Sequence, residues 1–104
     1  MKTVTICGSM KFEKEMMAIS FMLETKYNFN VLQCVYNSKH LDISDSELKA
    51  LEQAHFRKIE LSDAIYVIDL NGYIGEQVTK EIAYAKGLGK EILYNSTFAK
   101  GYTN

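Results

Sequence analysis

A net charge of one sign is missing from this chain. Twelve Lys and Arg stand against thirteen Asp and Glu, which leaves −1 at pH 7 over 104 residues. The basic footprint of a duplex DNA or RNA binder is therefore absent, and so is an acidic tail. No apolar run approaches the roughly 18 residues of a membrane span, so no membrane partner is expected. The apolar stretch behind Met1 and Lys2 stops at Gly8, too short for a signal-peptide core, and the expected location is the cytoplasm. Cysteine is scarce. Cys7 and Cys34 both sit inside apolar runs and read as buried free thiols rather than as a disulfide or half a zinc site. Proline is absent altogether, and nothing in the pattern accounts for it. Repeats, linkers and low-complexity tracts are missing too. What remains is an ordinary globular mix, 47% hydrophobic and 24% charged. The length suits one domain, read as 1–96, with a polar tail over 97–104.

Hydrophobic periodicity orders the chain. Thr3–Cys7 (TVTIC) is a β-branched run stopped by Gly8, a first strand. Phe12, Met16, Ile19 and Leu23 recur at helical spacing and predict a helix over 11–26. Residues 30–36 (NVLQCVY) read as a second strand and 37–42 as a polar loop. Ser44 and Glu47 have the capping-box spacing before a second helix, which carries Leu48, Leu51 and Ile59 on one stripe and ends near Ser62. The strongest strand is 64–70 (AIYVIDL), followed by a glycine-bearing loop over 71–75. A third helix runs over 76–86, with Gly87 and Gly89 as its stop, and Glu91–Tyr94 forms a fourth strand.

Strands alternating with helices in this way imply parallel pairing through right-handed crossovers. The expected fold is a small three-layer α/β/α parallel sheet of the flavodoxin/Rossmann-like class, its four strands in order 2-1-3-4. In such a sheet ligands bind beyond the carboxyl ends of the strands, where the strand order reverses, here between strands 1 and 3. Two glycine-containing loops converge there. One holds Gly8, Ser9 and Met10; the other runs from Asp69 through Asn71, Gly72 and Tyr73 to Gly75. Each leads into a helix N-terminus, where free N–H groups and the positive dipole end favour an anion. The expected ligand is small and carries a phosphate or carboxylate. Alternatively, Gly8 and Gly75 merely permit tight turns. No G-x-G-x-x-G and no Walker lysine pattern exists, so neither dinucleotide binding nor P-loop phosphoryl transfer is expected, and no cofactor is implied.

One carboxylate falls on the wrong face. On a wheel of roughly 100° per residue with Val78 at zero, Ile82 lies at about +40°, Ala85 at about −20° and Leu88 at about −80°. Glu81 lies at about −60°, inside the arc that should face the sheet, whereas Glu76 lies at about 160°, on the water side. An inward carboxylate beside the switch-point loops is costly unless it is hydrogen-bonded or used. Glu81 is either a nucleophile or general base, or a residue at the stripe edge that reaches water. His55 lies within the apolar stripe of the second helix and is either a satisfied core residue or part of the site. Asp69 ends the third strand and either works in the crevice or caps a turn. Tyr73 either stacks on a base or sugar or covers the edge of the core. No metal site is expected: His40 is on a loop, and spacing arranges no third ligand.

The segments Cys7-Gly-Ser-Met10, Ser62-Asp-Ala-Ile-Tyr-Val-Ile-Asp69, Gly75 and Glu81-Ile-Ala-Tyr-Ala-Lys-Gly-Leu-Gly-Lys90 together resemble the nucleoside 2-deoxyribosyltransferase superfamily, which includes the deoxynucleoside 5′-monophosphate N-glycosidases. The resemblance runs over about residues 3–95. Its most specific part is a glutamate followed by a small-aromatic-Ala segment and Gly-Lys before the last strand. It implies that Glu81 is the nucleophile on the anomeric carbon and that Gly8 and Ser9 belong to the sugar- and phosphate-side loop. The 71–75 loop is similar in position but differs in sequence. An aspartate that often orients the sugar in the family falls, by count, at His55. The C-terminal extension that helps close the family's pocket is short here, with Tyr102 its one bulky candidate.

The expected activity is therefore N-glycosidic bond cleavage or transfer on a nucleoside or nucleoside 5′-monophosphate. Glu81 adds to C1′, and Asp69, or a water it holds, protonates the departing base. Met10, His55, Asn71, Gly72 and Tyr73 complete the substrate-binding set. The alternative is a non-enzymatic nucleotide-binding sensor or regulator on the same scaffold; a blander one is an interaction protein with a vestigial crevice. Met17 and Phe21 lie opposite the Phe12–Ile19 stripe and form a second apolar strip, for which a homodimer is expected. The resemblance implies the same.

Overall fold

The computed structural model describes residues 1–37 and 39–98. Thr3–Cys7 forms β1, Glu13–Tyr27 α1, Asn30–Leu32 β2, Asp45–Leu61 α2, Ala64–Val67 β3, Glu76–Gly87 α3, Glu91–Tyr94 β4 and Asn95–Phe98 a short α4. The strands make one parallel sheet in order β2-β1-β3-β4. The three-layer α/β/α architecture follows from the period of two along each strand. Val4, Ile6, Ala64 and Tyr66 face one way and pack with Met16 and Leu23 of α1. Cys7, Ile65 and Val67 face the other way and pack with Ile59 of α2 and Val78 and Ala85 of α3. Among the described residues no helix is long and apolar enough to cross a membrane.

The helix ends follow local chemistry. Ser9 Oγ accepts from the Lys11 N–H (3.4 Å) and tightens Met10–Phe12 into a 3₁₀ turn, so α1 begins at Glu13 rather than at residue 11. Asn28, at φ 57°, caps α1 in the left-handed conformation. The capping box at α2 is present in full: the Glu47 N–H donates to Ser44 Oγ at 3.1 Å, and Glu47 Oε1 accepts from the Ser44 N–H at 2.9 Å.

Several expectations are corrected. The second strand stops at Leu32, not Tyr36. Its register reaches only Thr5 of β1, and at this sheet edge no further neighbour holds the chain in the pleat. The apolar residues behind it, Cys34 and Val35, line a cavity instead. The third strand ends at Val67 and gives way to a 3₁₀ turn over Leu70–Gly72, with Asn71 and Gly72 both at positive φ. Leu48 and Leu51 are exposed rather than buried with Ile59. The 17 residues of α2 span about 25 Å, whereas the four of β3 span about 13 Å. One end of α2 therefore overhangs the sheet. Leu88 is exposed because α3 stops at Gly87, where the wheel no longer applies. Of the expected tail, Thr97 and Phe98 lie in α4, and the Phe98 ring packs on Tyr27, Phe29 and Tyr66 at centroid distances of 4.8, 5.7 and 5.7 Å. Tyr102 lies outside the described residues.

Candidate functional site

β1 and β3 are neighbours, but the connections that leave them run to opposite edges of the sheet. Beyond their carboxyl ends lies an open cavity of about 410 Å³, within the usual range of about 300–1,000 Å³ for a small-molecule site. Its lining is mostly apolar. Gly8, Ser9 and Met10 come from the loop after β1, and Leu48, Leu51, His55 and Lys58 from α2. Tyr73, Gly75, Glu76, Gln77, Val78 and Glu81 come from α3 and the loop before it. Cys34, Val35, Asn37 and Ile43 close the far side.

Glu81 is 6% exposed and stands in the second turn of α3, on the sheet-facing arc. Gln77, one turn earlier, donates from Nε2 to Glu81 Oε2 at 3.3 Å. His55, 8% exposed on α2, brings Nε2 to 3.4 Å from Glu81 Oε1. Cys7, at the end of β1 and 1% exposed, places Sγ 3.5 Å from the same His55 Nε2. The acceptor atoms of Cys7, His55 and Glu81 all lie within 4.8 Å of one another. Burial pushes the Cys7 thiol well up from its ordinary pKa, and the negative charge of Glu81 adds to the effect. Burial likewise raises Cys34. Both cysteines are free, but Cys34 is only half-buried.

The rim of the cavity is built around Tyr73. Its ring meets Phe12 edge-on at 5.9 Å, and Lys11 Nζ sits 3.3 Å from its centroid. At the foot of the same loop Gly75 caps α3 without any side-chain hydrogen bond to the first turn. The N–H groups of Glu76, Gln77 and Val78 therefore lack a side-chain cap, and all three residues border the cavity. Gly8 is required sterically. A Cβ there would lie 2.8 Å from Met16 Sδ and 2.9 Å from Ile68 Cβ.

The structure thus gathers Gly8, Ser9, Met10, His55, Tyr73, Gly75 and Glu81 around one cavity. It does not bring Asp69, Asn71 or Gly72 to the lining. Asp69 is turned aside: Oδ1 accepts from the Ser96 N–H at 2.9 Å and Oδ2 from Ser96 Oγ at 2.5 Å. Both oxygens are engaged in tying the loop after β3 to the start of α4, which is the turn-capping alternative. Asn71 and Gly72 are exposed and supply the positive φ of the 3₁₀ turn.

Sequence reasoning missed the place of Cys7 beside His55 and Glu81. The period of two in β1 was the available signal, because it places Cys7 with Thr5 on the face opposite Val4 and Ile6. It also missed the cavity wall made by Val35, Ile43, Leu48 and Leu51. A strand pattern and a helix stripe look the same whether they face a core or a cavity. Comparison with models of known families, with curated proteins and with solved structures finds no match.

Proposed function

We propose that this protein cleaves the N-glycosidic bond of a nucleoside or nucleoside 5′-monophosphate, with Glu81 as the nucleophile. The observation that carries this reading is a buried carboxylate at an open, mostly apolar cavity, held by Gln77 on one oxygen and approached by His55 on the other. The resemblance of the Glu81–Lys90 stretch to the nucleoside 2-deoxyribosyltransferase superfamily supports it. Glu81 adds to C1′ as the C1′–N bond breaks through an oxocarbenium-like transition state. The bonding pair leaves on the base nitrogen, which takes a proton from water. A water molecule then cleaves the glycosyl ester, releasing the sugar and restoring the carboxylate; a second base in place of water gives transfer.

The lining suits the two ends of such a substrate. Met10, Val35, Ile43, Leu48 and Leu51 offer flat apolar contact to a base. The first-turn N–H groups of α3 and Lys58 on α2 favour a 5′-phosphate, against the Glu52 and Glu76 carboxylates on the same lining. Asp69 has no part in this reading, since Ser96 occupies it.

Release of free base from a panel of nucleosides and 5′-monophosphates tests it. Wild type is expected to release base from at least one, and Glu81→Gln to release it at least about 10³-fold more slowly. Equal rates would refute the assignment of Glu81. Calorimetric binding of a nucleotide without base release would favour a nucleotide sensor instead. We further propose that the chain pairs with a second copy through Met17 and Phe21, both exposed on α1. A monomer mass by light scattering at micromolar concentration would contradict this.

A further inference from the structure

We propose that Cys7, His55 and Glu81 form a binding site for a borderline-soft divalent cation of the Zn²⁺ type. The three side chains supply one sulfur, one imidazole nitrogen and one carboxylate oxygen, the donor set that zinc prefers. They come from three elements, β1, α2 and α3, and all are buried.

The spacing fits a tetrahedral ion. Zn–S of about 2.3 Å and Zn–N and Zn–O of about 2.0–2.1 Å, at tetrahedral angles, set the S-to-N edge at roughly 3.5 Å and the N-to-O edge at roughly 3.3 Å. The corresponding distances are 3.5 Å from Cys7 Sγ to His55 Nε2 and 3.4 Å from His55 Nε2 to Glu81 Oε1. The third edge, from sulfur to carboxylate, is within 4.8 Å, against roughly 3.5 Å around a bound tetrahedral ion, so Glu81 would have to move toward Cys7 on binding. Gln77 holds Glu81 Oε2, which leaves Oε1 as a monodentate donor. His55 and Glu81 border the cavity while Cys7 lies beneath them, so the fourth position opens to the cavity. With three protein ligands and one open position, the site differs from a closed four-ligand structural zinc site.

Binding releases the Cys7 thiol proton to solvent and leaves the proton of the neutral imidazole on Nδ1. That nitrogen is buried and has no hydrogen-bond partner among the described residues. The site therefore lacks the usual support behind a metal-bound histidine, and its affinity is set below that of a closed four-ligand zinc site. With Glu81 bound to the ion, its lone pair is withdrawn from the cavity. The consequence for base release rests on the function proposed above; the coordination itself does not.

Cobalt titration of the full chain tests the site, with chelator-treated protein kept under a non-coordinating reductant. One equivalent of Co²⁺ should produce tetrahedral d–d bands and a sulfur-to-cobalt charge-transfer band, both abolished by Zn²⁺. Cys7→Ser should lose the charge-transfer band and weaken Zn²⁺ binding at least about tenfold, while Cys34→Ser keeps the band. Glu81→Gln, which preserves shape, should weaken Zn²⁺ binding while keeping the charge-transfer band, and covers the case in which Cys7→Ser does not fold. A charge-transfer band absent from wild type, persisting in folded Cys7→Ser, or lost in Cys34→Ser would overturn the proposal, as would unchanged Zn²⁺ affinity in Glu81→Gln. Base release assayed in chelator separates the two readings: its absence there refutes the proposed function and leaves the cobalt spectrum unaffected.

Discussion

His55 Nε2 lies 3.4 Å from Glu81 Oε1, although the two residues stand on different helices and neither reaches bulk water freely. Cys7 approaches the same nitrogen from β1. A polar cluster of this kind is a liability in a small core unless its members satisfy one another. Here they meet where α2, α3 and the end of β1 converge, at the base of a cavity. Nothing about packing requires a carboxylate, an imidazole and a thiol there. The proposed function would account for their stability cost.

Replacing Asp69 with Ala should act on stability rather than on turnover. The substitution removes two hydrogen bonds to Ser96, one from its backbone N–H and one from its hydroxyl. The expected cost is about 1–3 kcal/mol in urea unfolding. Base release per folded molecule should stay near wild type; a loss comparable to that of Glu81→Gln would return Asp69 to the catalytic set.

Gly8→Ala should destabilise the protein by about 1–3 kcal/mol, because the new methyl group meets Met16 Sδ and Ile68 Cβ inside van der Waals distance. Ile68 Cβ is bonded directly to the backbone and cannot swing aside. Equilibrium unfolding of Gly8→Ala with unchanged midpoint would show that this approach is not tight.

Stability should fall in alkali. Burial raises the folded-state pKa of Cys7 above the unfolded thiol value of about 8.5. A raised folded value means that the contribution is fully present below about pH 8.5 and is lost as pH rises through the folded value. Cys34 shifts the same way, and Tyr36 and Tyr66, also raised by burial, extend the loss above about pH 10. Denaturant midpoints between pH 7 and 10 should decline for wild type and decline less for Cys7→Ala.

Ser44→Ala should cost about 1 kcal/mol, since it removes the acceptor for the Glu47 N–H at the start of α2. The Ser44 backbone N–H, the main cause that holds the Glu47 carboxyl below its usual range, survives the substitution, and only the smaller hydroxyl contribution is lost, so Glu47 should stay lowered and move only part of the way back by NMR.

Much of the architecture was legible along the chain because its causes are local. The β-branched runs at Thr3–Cys7 and in AIYV, the Ser44–Glu47 cap and the bounds of β4 depend on neighbours a few residues away. Their alternation with helices restricts the topology to a parallel sheet, and the order 2-1-3-4 followed. The inward face of Glu81 was legible for the same reason, since a wheel needs only the helical period. What could not be read locally was where a polar side chain finds its partner. Asp69 follows the third strand in either case, and only the return of the chain at Ser96 decides that it caps rather than reacts. Leu48 and Val35 carry core-like patterns, yet they face a cavity because a helix outruns its sheet and an edge strand leaves it. Cys7, His55 and Glu81 meet because strand parity, strand order and the packing of two helices act together. Periodicity is a property of one segment, whereas a site is a property of three segments held at fixed distances, and only the folded chain supplies those.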